Sequence, residues 1–206
     1  MAALTKELNQ THANFDFLRS QINPHFLFNA LNAIYGTALA EGADRTGEGI
    51  QKLGDIMRFM LHENVQEKIL LSREIDYLNN YLDLQRMRVG GHPNIRIEAM
   101  IDDYAGDLQI APMLLIPFVE NAFKHGISLQ RPSFIFIQLE LKENHLEFTV
   151  RNSTHEATHE DPEQHNNGIG LNNVKQRLAL LYPDAYDLDI RDSREEYHVK
   201  LSIELT

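Results

Sequence analysis

Three polar side chains at the end of an apolar stretch have the types and spacing of a phosphate and metal site. Lys124 and His125 follow Asn121 by three and four residues, so on a helix all three share one face. An amide oxygen can ligate a hard cation such as Mg²⁺, and an ammonium and an imidazole can neutralise phosphate oxygens. The same residues also suit an ordinary polar last turn before a glycine. Taken alone, the spacing leaves both interpretations open.

A second candidate is the run Gly168-Ile169-Gly170-Leu171, which precedes an apolar helical pattern. Glycines let a backbone approach a ligand closely, and the start of a helix offers free N–H groups to an anion. The long polar segment from Ser153 to Asn167 leads into this run, as a lid over a nucleotide would. The run does not directly follow a strand, so a dinucleotide-binding fold is a poor fit.

Asn152 stands at the end of a predicted strand. Its side-chain carbonyl could accept a hydrogen bond from an adenine amino group. An asparagine that starts a turn explains the position equally well.

His25 directly follows Pro24 within a pattern typical of an amphipathic helix. Apolar or near-apolar positions repeat at heptad spacing from Leu4 to Ile22, and His25 would be the next member of that seam. Proline breaks helical register, which predicts a kink that turns the imidazole outward. In the alternative, His25 is a buried polar seam residue that fixes helix pairing.

One further motif, His155-Glu156-Ala157-Thr158-His159, matches the zinc-protease pattern H-E-x-x-H. That chemistry needs both histidines on one face of a firm helix and a third protein ligand, for which His165 or Glu163 are candidates. The motif lies in the polar segment without an apolar stripe to dock a helix. We therefore set zinc hydrolysis aside.

Composition narrows the function classes. The chain has 206 residues, a net charge of −11 and no cysteine, which excludes disulfides and thiolate chemistry. The acidic balance argues against a nucleic-acid surface. No apolar run is long enough for a membrane span, and no signal peptide opens the chain. We expect a cytoplasmic polypeptide, and an upstream membrane segment stays open, in which case this chain is the cytoplasmic part of an inner-membrane sensor.

The elements that must position these residues fall into two halves. A helix continues to about Leu39, a glycine-containing loop is predicted over residues 41–49, and a second helix carries Ile50, Leu53, Met57 and Met60. Two such helices cannot enclose a core alone, so they predict a homodimeric four-helix bundle. Residues 65–71 are a predicted connector. A third helix then runs to about Arg88 with Ser72 as its N-cap.

In the second half the apolar period changes to two. Strands are predicted at 95–101, 135–141, 146–150, about 186–191 and 197–205. Apolar helices are predicted over Met113–His125 and after Leu171. The fold class is therefore α+β, with an antiparallel-rich sheet covered on one face by helices.

Together these pieces resemble the LytS/YehU-type sensor histidine kinases over almost the whole chain. Residues 18–32, with Pro24-His25-Phe26-Leu27-Phe28-Asn29 at their centre, resemble that family's phosphoacceptor signature. Residues 117–126 resemble the N box of the GHKL (Bergerat) ATP-binding fold, and residues 168–178 resemble its last glycine box.

The resemblance implies two domains: 1–69 for dimerisation and histidine phosphotransfer, and 70–206 for ATP binding. By this likeness His25 is the phosphorylated residue and Asn121 the magnesium ligand. Lys124, His125, Asn152 and the residues Gly168, Gly170 and Leu171 would bind ATP.

The sequence departs from the wider kinase pattern at three places. Asn152 replaces the usual aspartate, Pro117 occupies the place of an earlier polar residue, and Phe26 follows the histidine where many kinases have an acidic base. Glu120 is one candidate for the base, whereas Asn29 could only orient the ring.

The expected function is ATP- and Mg²⁺-dependent autophosphorylation of His25, followed by transfer to an aspartate in the receiver domain of a response regulator. Two alternatives stay open: a catalytically degenerate dimeric signalling module, and a GHKL ATPase that forms no phosphohistidine.

Overall fold

The computed structural model describes residues 24–104, 106–155 and 169–206. In chain order its elements are α1 (Pro24–Ala40), α2 (Asp44–His62), β1 (Ile69–Leu70), α3 (Leu71–Val89), β2 (Ile95–Ile101), β3 (Gln109–Ile110), α4 (Ile116–His125), β4 (Ser133–Lys142), β5 (His145–Ser153), α5 (Ile169–Leu181), β6 (Tyr186–Asp192) and β7 (Glu196–Glu204). The chain divides into two compact units between Met57 and Arg58. None of the described helices combines the length and the apolar character needed to cross a membrane.

The described part of the first unit is a helical hairpin. The predicted kink and the heptad seam before it lie outside the described residues. The predicted loop over 41–49 is wrong, because α2 already begins at Asp44. Gly47 therefore lies inside a helix, where a Cβ atom would come within 3.3 Å of the Tyr35 ring. Close packing here outweighs the low helix propensity of glycine.

The second unit is built on a five-stranded sheet with the order β2-β4-β5-β7-β6. Strands β2 and β4 are parallel, and the other neighbours are antiparallel. Alternate residues of the central strands point into the core and are fully buried, among them Ile135, Ile137, Leu139, Phe148 and Val150. The predicted α+β class is confirmed, and the antiparallel strands β4 and β5 form a hairpin.

The helices of this unit cover one face of the sheet: α3 contacts β2 and β3, α4 contacts β4 and β5, and α5 contacts α4. Two predicted helix starts are wrong. Helix α4 begins at Ile116 rather than Met113, whose φ of 55° is incompatible with a right-handed helix. Helix α3 begins at Leu71 without a side-chain cap, so Ser72 is not its N-cap. The Leu71 N–H instead donates to the Leu108 carbonyl at 2.8 Å.

The predicted connector over 65–71 is partly structured. Strand β1 pairs with β3, with Ile69 opposite Ile110. Further upstream, Phe59 packs against Tyr77 with ring centroids 4.3 Å apart, and Arg73 pairs with Glu63 at 3.0 Å. These contacts attach the chain from about Phe59 onward to the second unit, so the predicted connector does not extend through Ile69.

Candidate functional site

The last turns of α4 carry four of the predicted site residues. Glu120 is exposed, Asn121 is half-buried, and Lys124 and His125 are exposed. The protein that surrounds the Glu120 carboxyl partly desolvates it, which raises its pKa above the ordinary value. Asn121, Lys124 and His125 follow one face of the same helix. The structure thus keeps the candidate phosphate and metal side chains together.

The end of α4 is held against the end of β5. The Gly126 carbonyl accepts a hydrogen bond from Ser153 Oγ at 2.8 Å. A Cβ atom on Gly126 would lie 2.7 Å from Asn152 Cβ and 2.5 Å from the Ala122 carbonyl oxygen. Only glycine fits at this position without a shift. The close approach brings Asn152 next to the helix that carries Asn121.

Asn152 has a buried side-chain acceptor that a ligand could satisfy. It is 1% exposed, and its Nδ2 donates to the Ser153 carbonyl at 2.8 Å. Its Oδ1 is buried and has no hydrogen-bond partner within the described part of the chain. A buried acceptor without a partner carries a desolvation cost of about 1–3 kcal/mol. Asn152 lies within strand β5, so the alternative of a turn-starting asparagine is wrong.

The glycine run is described only in part. Gly170 lies in the first turn of α5 and is exposed, and a Cβ atom there would have no neighbour within 4 Å. Leu171 is half-buried. Gly168 and most of the predicted lid lie outside the described residues.

His25 lies in the first turn of α1 and is exposed in this single chain. Its Nδ1 is 3.2 Å from Nδ2 of Asn29, one helical turn further along. The contact matches the predicted orienting role of Asn29. Because the alternative buries His25 against a partner helix, exposure in a single chain fits both interpretations of this residue.

Three residues near the α4 site were not recognised as functional candidates from the sequence. Two of them, Tyr77 and Tyr81 of α3, face Glu120. Burial raises the pKa of both phenols, and the negative charge of Glu120 raises it further. The pKa of Tyr81 reaches about 12. The third is Glu74, a buried carboxylate bonded to the segment before α4. The spacing of three and four residues among these side chains was the available signal, since it places them on one face of α3.

The zinc motif gains no support from its described part. The ring of His155 contacts Ser133 Oγ through Nε2 at 3.0 Å, and Glu156 and His159 lie outside the described residues. Where side chains are described, no group of three or more histidine or acidic residues could hold a metal ion.

Comparison with known proteins supports the resemblance to sensor histidine kinases. The histidine kinase family model matches residues 13–92. The sensor protein LytS of Oceanobacillus iheyensis is 29% identical over 189 residues, which cover 85% of this chain and 32% of that protein. The sensor histidine kinase BtsS of Escherichia coli K12 is 28% identical over 188 residues, covering 91% of this chain and 32% of that protein. These matches support a LytS-type sensor histidine kinase.

The LytS-type chain spans about a third of the length of these curated relatives. Its fold is similar to that of a solved histidine kinase domain from Erythrobacter litoralis EL346, part of a blue-light activated histidine kinase. That match has a TM-score of 0.50 and 15% sequence identity, and it covers 81% of this chain and 82% of the other. The predicted GHKL-type α+β fold is thereby confirmed.

Proposed function

We propose that this chain is the catalytic portion of a two-component sensor histidine kinase that phosphorylates itself on His25. Residues 1–69 would serve dimerisation and phosphotransfer, and residues 70–206 would bind ATP. The observation that carries the proposal is the unpartnered, buried Oδ1 of Asn152, which a donor such as the adenine amino group would satisfy. Its position beside Gly126, at the end of α4, supports a nucleotide that reaches from Asn152 towards Asn121.

ATP would be held at both of its ends by this unit. Asn152 would accept from adenine, Lys124 and His125 would neutralise phosphate oxygens, and the start of α5 at Gly170 and Leu171 would offer backbone N–H groups. We include Gly168 among the residues that would bind ATP. Mg²⁺ held by the Asn121 amide oxygen would supply charge neutralisation between the phosphates.

Phosphoryl transfer joins a His25 ring nitrogen to the γ-phosphorus, breaks the bond from that phosphorus to the bridging oxygen, and releases ADP. The Asn29 amide contacts Nδ1, and the roles of donor and acceptor in this contact depend on the ring tautomer. The ring nitrogen that attacks carries the free lone pair, and a base takes the proton from the other ring nitrogen as the new bond forms. Glu120 is the candidate, because a raised pKa makes its carboxylate a better proton acceptor at neutral pH. Catalysis of this type depends mainly on positioning and electrostatics.

A second copy of this chain is the proposed partner of the hairpin. Ile34 and Leu39 of α1 are 53% and 51% exposed, and Leu53 of α2 is 40% exposed. A helical pair that leaves such side chains in water gains by burying them against another pair. A homodimeric four-helix bundle follows. A response regulator aspartate would receive the phosphoryl group, and the whole protein would act at the cytoplasmic side of a membrane.

The test is incubation of the protein with γ-labelled ATP and Mg²⁺. We expect acid-labile, alkali-stable label on the protein, absent from His25→Ala and present in His62→Ala. His62 is an exposed histidine of α2 and serves as the matched control. Label that persists in His25→Ala would overturn the assignment of the acceptor.

Two other outcomes identify the alternatives. Calorimetry that detects no ATP or ADP binding at millimolar concentration would favour the degenerate signalling module. Release of free phosphate at the same rate from wild type and His25→Ala would favour an ATPase without phosphohistidine.

A further inference from the structure

Glu74 is the single buried charged side chain in the described ranges. It lies in the first turn of α3 and is 1% exposed, whereas the other buried polar residues are Ser133, Asn152 and Ser153. Burial of a carboxylate is costly unless hydrogen bonds and charges compensate it. An apolar side chain would fill the same space without that cost, so the charge calls for a specific explanation.

The hydrogen bonds of Glu74 end at the segment that starts α4. One carboxylate oxygen accepts from the Met113 N–H at 2.8 Å, and the other accepts from the Leu115 N–H at 3.1 Å. Leu115 is the N-cap residue of α4 and has no side-chain cap of its own. Met113 has a φ of 55°, a conformation that a non-glycine residue keeps only when neighbouring contacts stabilise it. Glu74 therefore holds both the unusual backbone and the entry into α4.

Glu74 also interacts with α5. Arg177 is half-buried, and its positive charge favours the ionised form of Glu74, while the negative charge of Glu74 favours the protonated form of Arg177. The remaining titratable groups that face Glu74 are Tyr77 on its own helix and Tyr182 after α5. One carboxylate thus interacts with both helices that carry the candidate nucleotide residues.

We propose that Glu74 is a positioning residue for the nucleotide site, and that its ionised form sets the start of α4 and thereby the placement of Asn121 and Lys124. The inference rests on the proposed ATP site. A carboxylate accepts both N–H groups, whereas a protonated carboxyl turns one oxygen into a donor that faces an N–H group. Protonation would therefore loosen the Met113–Leu115 segment and weaken nucleotide binding.

The pH range of this effect is set by burial. Desolvation raises the pKa of Glu74 to about 7, against the lowering effect of the backbone hydrogen bonds and of Arg177. The carboxylate changes its charge near neutrality, so the effect lies in a range that is accessible to a binding experiment.

The experiment compares ADP–Mg²⁺ dissociation constants of wild type, Glu74→Gln and Glu63→Gln between about pH 6 and pH 8. Glutamine cannot accept both N–H groups, so we expect Glu74→Gln to bind similarly to wild type at the acid end and about tenfold more weakly at the alkaline end. Glu63→Gln, which removes a carboxylate near α3 without touching α4, should follow wild type throughout. A variant-to-wild-type ratio that is the same at both ends overturns the proposal, because a merely structural loss gives that result.

A second measurement needs no nucleotide and separates this inference from the proposed function. The Met113 and Leu115 amide resonances of wild type should titrate near neutrality, and in Arg177→Gln their midpoint should move to higher pH. Amides that do not titrate overturn the role of Glu74, and the Arg177 variant keeps the test valid if Glu74→Gln does not fold. Titrating amides in a protein that binds no ADP would instead count against the proposed ATP site.

Discussion

Gly126 lies so close to Asn152 that a Cβ atom on Gly126 would fall 2.7 Å from the Cβ atom of Asn152. The contact joins the end of α4 to the end of β5, and with them the candidate magnesium ligand to the candidate adenine acceptor. The backbone carbonyl oxygen of Ala122 would lie 2.5 Å from the same Cβ atom. A side chain at Gly126 would therefore require a shift of the backbone or of the Asn152 Cβ atom.

The variant Gly126→Ala should therefore lose both stability and nucleotide affinity. Overpacking of this kind costs about 1–3 kcal/mol, which urea denaturation would measure. Gly36→Ala is the control, because a Cβ atom at Gly36 has no neighbour within 4 Å and alanine is the better helix former by about 0.5–1 kcal/mol. Equal effects of the two variants would contradict the close contact.

The unpartnered acceptor of Asn152 predicts selection for the adenine amino group. Wild type should bind ATP about tenfold more tightly than purine riboside triphosphate, which lacks that amino group. Asn152→Ala should lose most of the affinity for ATP and show no preference between the two nucleotides. Competition against a fluorescent nucleotide would measure all four constants, and a preference retained in Asn152→Ala would place adenine elsewhere.

The contact between Asn29 and His25 predicts a change in phosphorylation rate without a change in nucleotide binding. Asn29→Ala should slow labelling of His25 about three- to tenfold, the value expected for one lost hydrogen bond. Thr37→Ala is the control, since the Thr37 hydroxyl donates to the carbonyl of Ala33 in its own helix. Single-turnover labelling at saturating ATP gives the rate, and equal rates for the three proteins would exclude an orienting role.

Burial of Glu74 predicts that folding stability falls as pH rises. The carboxyl has a pKa of about 7 in the folded protein and an ordinary value of 4.5, so the folded state binds the proton more tightly. The stabilisation is complete below pH 4.5 and is lost as pH rises through about 7. Relative to Glu74→Gln, wild type should lose roughly 3 kcal/mol over this range in urea denaturation. A difference between the two proteins that does not change with pH would refute this account.

The packing of Phe59 against Tyr77 predicts that the end of α2 is a structural part of the second unit. Phe59→Ala should lower the free energy of unfolding by about 3 kcal/mol or more, because both rings are buried. Met60→Ala, at the exposed neighbouring position, should cost less than about 1 kcal/mol. A small effect of Phe59→Ala would mean that this contact is dispensable and would leave the connector free from residue 59 onward.

The element types of the second unit could be predicted from the sequence because its strands have one buried and one exposed face. Ile135, Ile137 and Leu139 occupy alternate positions of one strand and are all buried, so the period of two carries the information. Helix starts were predicted less well. Serine is a favoured N-cap residue type, so Ser72 was a reasonable choice. In the structure the Leu71 N–H instead donates to the carbonyl of Leu108, which is distant in sequence.

The sequence predicted which residue types form the candidate site, but not the tertiary contacts between them. The likeness of residues 18–32 and 117–126 to family motifs identified His25 and Asn121 as candidates, and the position of Asn152 at the end of a predicted strand identified that residue. Glu74 was not among the candidates. Its buried position depends on Met113 and Leu115, which lie some forty residues away along the chain, and no local pattern encodes such a contact.

The sequence by itself determined the period of each element and the chemical groups available, because side-chain type and spacing are local properties. Tertiary structure decided which groups lost contact with water. The unsatisfied oxygen of Asn152 and the raised pKa of Glu74 both arise from burial by parts of the chain that are remote in sequence. Desolvation is a property of the assembled unit, which is why these two features appear only once the chain has folded.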